Sequence, residues 1–262
     1  MIRATVLVGG HPFDTAAFGE LLSSMTEVEV SLRRWPEAEA VFAPHRLDAT
    51  DVLMLYDMPG VGLGRSGDGQ MSVTPAEPPV QVQEGWDRLL HRGVPVVALH
   101  HALAGWPSWP RYADILGGRF HYRPAVLRGR QWPDSGYRHE VAQSISVVTP
   151  SHPLCAGLPS SFELIDEAYL CPVFDDEVTP LLVTNAPRSD HDHLSAATAT
   201  GMVVTDGIAY SHPAGSDLAA WTHRVGSSSV TYIQPGDGPA AYSNQWYQAL
   251  LLNAVRHAAP TR

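Results

Sequence analysis

Only two of the 262 residues are cysteine, Cys155 and Cys171. Two cysteines cannot build a disulfide framework, and their spacing is not that of a zinc motif. Charge is also scarce: Asp, Glu, Lys and Arg make up 17% of the chain, and the net charge is −10. No cluster of Lys or Arg occurs, so the chain lacks the basic patch needed to replace counterions on a nucleic acid or to hold an anionic membrane. Long apolar runs are missing too. The N-terminal stretch MIRATVLVGG is too short for a signal sequence, and no later run reaches the length of a membrane span. A cytoplasmic protein without nucleic-acid or membrane partners is expected. With no internal repeat and no low-complexity linker, residues 1–262 read as one domain.

What is present is an ordinary apolar fraction, 44%, enough for a core, and thirteen histidines. Ala4 to Val8 is a buried strand closed by a Gly9-Gly10 turn. Ala17, Phe18, Leu21, Leu22 and Met25 recur at helical spacing, with Asp14 or Thr15 as the cap. Val28, Val30 and Leu32 alternate, which predicts a second strand. Asp51 to Tyr56 is the continuous apolar run of a central parallel strand. The Gly- and Pro-rich stretch from Asp57 to Val80 has no apolar period and reads as a long loop or lid. Val82, Trp86, Leu89 and Leu90 predict a helix ended by Gly93, and Val94 to Leu99 the next central strand. A further helix lies between Ser108 and Gly117, carrying Tyr112, Ile115 and Leu116. Strands are expected around Ser144 to Val148, Pro180 to Thr184, Met202 to Ala209 and Leu218 to Val225. Ser229 to Ile233 is expected to pair with the last of these across Gly226-Ser227. A closing helix from Ser243 would bury Trp246, Leu250, Leu251, Ala254 and Val255. Strand and helix alternate, which predicts an α/β protein with a doubly wound, mostly parallel sheet flanked by helices.

Such sheets bind ligands beyond the carboxyl ends of their strands. Topology therefore brings together Gly9 to Asp14, Tyr56 to Gly60 and His100 to Trp109. His100, at a sharp strand-to-helix turn, is a candidate general base, because imidazole titrates near working pH. His101 points elsewhere along the strand and reads as structural. His11 faces the same crevice. Asp14 is either a cap or a site residue, and Asp57 either a turn former or an acid. Trp106, Trp109 and Tyr112 could present an aromatic platform to a sugar or could simply be core. His191-Asp192-His193 has a spacing that could hold a metal, although polar loops contain such triplets by chance.

The motifs GVPVVALHHA and WPSWPRYADILGGRF, the block SHPLCAGLPSSFELIDEAYL (Ser151 to Leu170) and the C-terminal SSSVTYIQPGDGPAAYSNQWYQALLLNAVRHAA resemble the ThuA-like (trehalose-utilisation) family in the same order. That family's fold is similar to class I glutamine amidotransferases and thus flavodoxin-like. In the amidotransferase pattern a cysteine nucleophile follows this strand; here Ala98-Leu99-His100-His101-Ala102 places His100 at that position. Imidazole cannot form the thioester of glutamine hydrolysis, so glutaminase chemistry is excluded. The resemblance implies that Glu167 and Tyr169 line the site from the second half and that His121 lies near the pocket. It also implies a carbohydrate ligand contacted by Tyr56, Trp106, Trp109, His121, Tyr169 and Asp237. Where the family often has Gly-His, this chain has Gly236-Asp237. The implied activity is on a sugar already oxidised to a 3-ketone by a partner dehydrogenase, with His100 as base and Glu167, Asp57 or His11 as acid. A non-catalytic sugar-binding or partner-subunit domain is the first alternative. A metal-dependent hydrolase, with a divalent metal as its cofactor, is the second. Homo-oligomerisation is compatible with all three.

Overall fold

The computed structural model describes residues 1–65, 71–187, 193–199 and 211–258. The first half contains β1 (Ile2–Gly9), α1 (Thr15–Ser24), β2 (Val28–Arg34), β3 (Val52–Asp57), β4 (Val61–Arg65) and β5 (Met71–Pro75). It continues with α2 (Val80–Arg92), β6 (Val96–Leu99) and α3 (Pro110–Leu116). The second half contains β7 (Ala125–Leu127), β8 (Arg130–Trp132), β9 (Gly136–Val147), β10 (Ser161–Leu170), β11 (Thr179–Thr184), β12 (Leu194–Ser195) and α4 (Ala196–Ala199). It closes with β13 (Leu218–Val225), β14 (Ser228–Ile233), α5 (Pro239–Tyr242) and α6 (Gln245–Ala258).

One sheet organises the molecule, in the order β10-β9-β11-β13-β14-β6-β3-β1-β2. The block β14-β6-β3-β1-β2 is parallel throughout, and the strands beyond β14 are antiparallel. Read from β2, the parallel block has the 2-1-3-4-5 order of a flavodoxin-like sheet, which reverses its winding at β1. The expected α/β sheet is present, and its antiparallel extension carries part of the site.

The central strands are apolar because both of their faces are covered. Leu53 and Leu55 of β3 pack with Trp86 and Leu89 of α2 and Ile115 of α3 on one face. Met54 and Tyr56, the alternate residues, pack with Phe18 and Leu21 of α1 and Leu251 and Val255 of α6 on the other. The expected caps are in place. Asp14 Oδ1 accepts from the Ala16 and Ala17 N–H groups, and Gly93 ends α2 in the left-handed conformation. Gly10, with φ +84°, sits where a Cβ would lie 2.1 Å from the Met58 carbonyl oxygen, so the first turn requires glycine.

Several elements differ from the sequence reading. The stretch from Asp57 to Val80 is not one loop, because β4 and β5 pair as a hairpin from Val61–Pro75 to Arg65–Met71. Its alternation is confined to Val61, Leu63, Met71 and Val73, too short among glycines to stand out. β9 begins eight residues before Ser144, and β10 was unforeseen. In α6 the buried aromatic is Tyr247, whereas Trp246 is only partly buried. The predicted strand at 202–209 and His191 and Asp192 lie outside the described residues.

Candidate active site

The three loops that topology brings together do meet. Met58 N–H donates to the Gly9 carbonyl (2.8 Å), and Trp106 N–H to the Pro59 carbonyl (2.7 Å). β6 ends between them, and the next residue, His100, has φ +44°. A β-carbon in that region is strained, so the turn is held by its surroundings. Tyr232 on β14 donates its hydroxyl to the His100 carbonyl at 2.8 Å. The His100 ring is fully buried, and its Nδ1 lies 2.7 Å from the Gln234 carbonyl oxygen. A carbonyl only accepts, so Nδ1 carries a hydrogen and Nε2 is the atom free for chemistry.

Three groups converge on Nε2: Glu167 Oε2 at 3.1 Å, Asp237 Oδ1 at 3.3 Å and the Tyr169 hydroxyl at 2.9 Å. Burial alone would push the His100 pKa down. The hydrogen bonds with Asp237 and Glu167 and the nearby negative charge overcome it, and the pKa stands well above the ordinary value. Hydrogen bonding to His100 in turn holds Asp237 down at about 2, against the effect of its own partial burial. The raised pKa favours the imidazolium form of His100 beside the carboxyl groups of Asp237 and Glu167, with Tyr169 able to donate to Nε2 whenever the proton leaves.

A bulge sets the geometry of Glu167. In the β9–β10 ladder Asp166 faces Val141 and Ala168 faces Arg138, so His139 and Glu140 together oppose Glu167. Glu140 takes φ +52° there, and His139 Nδ1 comes within 2.9 Å of Glu167 Oε1. The Gln234 side-chain amide donates to the Glu167 carbonyl at 2.8 Å. Asp166 places Asp237 by accepting main-chain N–H groups from Glu167 (2.8 Å), Gly236 (2.5 Å) and Asp237 (3.1 Å). Burial raises the Asp166 pKa, opposed by the charge of His100 and these three bonds. Tyr56 donates to the Gly236 carbonyl at 2.9 Å and also meets the Tyr242 hydroxyl.

Of the residues predicted from sequence, His100, Glu167, Tyr169 and Asp237 form one cluster. Tyr56 supports the loop that carries Asp237 rather than touching His100. His11 stacks on His101 with ring centroids 4.5 Å apart, and both pKa values are lowered, chiefly by burial and then by neighbouring histidines. Neutral histidines are poor proton donors. Both His101 ring nitrogens are buried without a hydrogen-bond partner among the described residues, so His101 backs the site without bonding into it. Asp57 is also buried, and it bonds Trp35 Nε1 rather than any member of the cluster. Trp106 packs edge-on against Trp35 at 5.3 Å and Trp109 stacks with Tyr112 at 6.3 Å, both within the core. His121 lines a separate cavity with Arg119. Asp14 is a cap. Sequence reasoning missed Asp166 as the clamp on Gly236 and Asp237. It also missed His139, whose position depends on a bulge with no local signature.

The family model for ThuA, described as trehalose utilisation, matches residues 5–258. The chain belongs to the ThuA family. A ThuA-like protein from Parabacteroides merdae is 15% identical with a TM-score of 0.64, covering 100% of this chain and 92% of its own. A ThuA-like protein from Bacteroides uniformis is 14% identical with a TM-score of 0.61, covering 98% and 91%. PurLQS from Thermotoga maritima is 12% identical with a TM-score of 0.52, covering 98% of each chain, in keeping with an amidotransferase-like fold. No curated protein matches the sequence. The family is carbohydrate-related by its description, and among the described residues no helix is long and apolar enough to cross a membrane.

Proposed function

We propose that this ThuA-family chain hydrolyses an oxidised, 3-keto glycoside by acid/base chemistry at His100 and Glu167. The observation that carries the reading is the convergence of Glu167, Asp237 and Tyr169 on His100 Nε2. A 3-keto group acidifies the C2–H bond. Glu167 takes that proton, and electrons flow through the enolate to expel the C1 oxygen. His100, as imidazolium, gives the leaving oxygen its proton, and an enone remains. Water then adds at C1 and loses a proton to His100, now an imidazole, while Glu167 returns its proton to C2. The sum is hydrolysis, and both groups end as they began. This exchanges the roles expected from sequence, where His100 is the base at C2 and Glu167 an acid. With its pKa raised, His100 serves first as acid and then as base, and Asp237 remains the anion that keeps it charged. A partner dehydrogenase would supply the ketone.

The test is turnover of a 3-keto disaccharide by the native protein, His100→Ala and Glu167→Gln. Loss of a general acid or base slows such steps by about 10²–10⁴-fold. Equal turnover by the native protein and His100→Ala overturns the reading. Thermal stabilisation by oxidised sugars without any product would favour a binding module instead.

One further observation favours a second reading. The ligand atoms of His100, Glu167 and Asp237 all lie within 4.8 Å of one another. With Nδ1–H committed to a backbone carbonyl, Nε2 is oriented as in a metal-binding histidine. A divalent ion there would make the chain a metal-dependent hydrolase. Stoichiometric Zn, Mn or Fe in protein purified without chelators supports this reading, and full turnover by metal-free protein removes it.

A further inference from the structure

A second polar cluster lies outside the His100 site. Ser108, Arg119, His121, Tyr122 and Arg123 line a cavity together with Val73 and Pro75 of β5. Arg119 lines it and is 8% exposed, yet among the described residues no carboxylate pairs with its guanidinium. His121 lines the same cavity at 3% exposure, with Nε2 buried and without a hydrogen-bond partner among the described residues. Its backbone is fixed from both sides: His121 N–H donates to Ser135 Oγ (2.8 Å), and Ser135 N–H donates to the His121 carbonyl (2.9 Å). Burial, with Arg119 and His212 nearby, pushes the His121 pKa down to about 3, so the ring is a neutral hydrogen-bond donor or acceptor.

A guanidinium lining a cavity without a counter-charge leaves its donors open to a ligand, and a buried imidazole nitrogen without a partner is unfavourable. Their sharing of one cavity has a simple chemical resolution. An anion between them would neutralise the guanidinium and accept from His121 Nε2–H. A guanidinium presents its donors in the planar fork that matches carboxylate and phosphate oxygens. The cavity stands beside the His100 site, because the Phe120 ring packs on Tyr169 at 4.9 Å and on Tyr122 at 5.6 Å.

We propose that Arg119 and His121 form an oxyanion-binding site, taking a phosphate or carboxylate group. That group arrives either as a free anion or as a substituent on a sugar. This site is independent of the chemistry proposed at His100.

The test is thermal unfolding of the full chain in inorganic phosphate, glucose 6-phosphate or glucuronate, each against chloride at equal ionic strength. A site-specific anion at a hundredfold excess over Kd raises Tm by about 5–10 °C for a protein of this size. Arg119→Met should lose the shift while remaining folded, with an anion-free Tm close to native, since it removes a cation that no carboxylate pairs among the described residues. His100→Ala should retain the shift. A response to phosphate alone identifies a free-anion site, whereas a larger response to the sugar anions identifies a substrate subsite. Either supports the proposal. Absence of any shift above chloride in the native protein overturns it, as does an equal shift in Arg119→Met. Should Arg119→Met fail to fold, isothermal titration of native protein and Arg119→Lys decides: no heat of binding to native protein, or equal affinity in both, refutes the site.

Discussion

Asp57 gives a quantitative test of how the sheet treats charge at its carboxyl edge. The side chain is 1% exposed at the end of β3, Oδ2 accepts from Trp35 Nε1, and Oδ1 has no hydrogen-bond partner among the described residues. Burial raises its pKa to about 7, and the Trp35 bond only partly offsets this. A carboxyl group whose folded pKa lies above its unfolded value binds its proton more tightly in the native state. Its contribution is therefore fully present below the unfolded pKa, near 4, and is lost as pH rises through about 7. A rise of roughly three units corresponds to about 4 kcal/mol at 1.36 kcal/mol per unit. Asp57→Asn keeps an oxygen for Trp35 but cannot titrate. Other groups titrate over the same range, so the informative quantity is native minus variant. Urea unfolding at a series of pH values should show native stability falling by about 4 kcal/mol relative to Asp57→Asn between pH 4 and 8. A constant difference across that range would show that Asp57 ionises freely in the folded protein. A difference that moves the other way would show that an unseen partner stabilises the carboxylate.

Three further outcomes follow from the geometry. Gly236→Ala meets both a φ of +132° and a Cβ placed 2.5 Å from the Tyr247 hydroxyl; it should lower stability by about 2–4 kcal/mol in urea melts and impair turnover, and native-like values would refute the close packing. Asp14→Ala removes the acceptor for the Ala16 and Ala17 N–H groups and should lose about 1 kcal/mol with turnover unchanged; a large loss of activity would return Asp14 to the site. Asp166→Asn weakens the bonds that hold Gly236 and Asp237, so turnover of a 3-keto disaccharide should fall at least about tenfold while urea melts stay close to native. Unchanged turnover would mean that Asp237 needs no clamp.

The core was legible wherever one physical demand dominated. The apolar runs read from Asp51 to Tyr56 and Val94 to Leu99 form β3 (Val52–Asp57) and β6 (Val96–Leu99), both buried on two faces, where a continuous apolar run is favoured. The end of the second run led directly to His100, since sheet topology alone fixes where ligands approach. β10 was hidden because its pattern breaks. Phe162 and Leu164 are buried and Glu163 is exposed, as alternation requires, but then Ile165 is 54% exposed while Asp166 and Glu167 are buried. Read as hydropathy, that inversion argues against a strand. In the folded protein it is where the strand turns from packing to the polar cluster: Asp166 fastens the loop of Asp237, and Glu167 is aimed at His100. Trp106 and Trp109 are open to two readings in the sequence, a sugar platform or core, and their rings pack in the core against Trp35 and Tyr112. Apolar residues near a site are weak evidence of a ligand, because packing already accounts for them. Carboxylates buried where an alternating strand should bury apolar side chains are stronger evidence, because packing opposes them and only specific partners can hold them there.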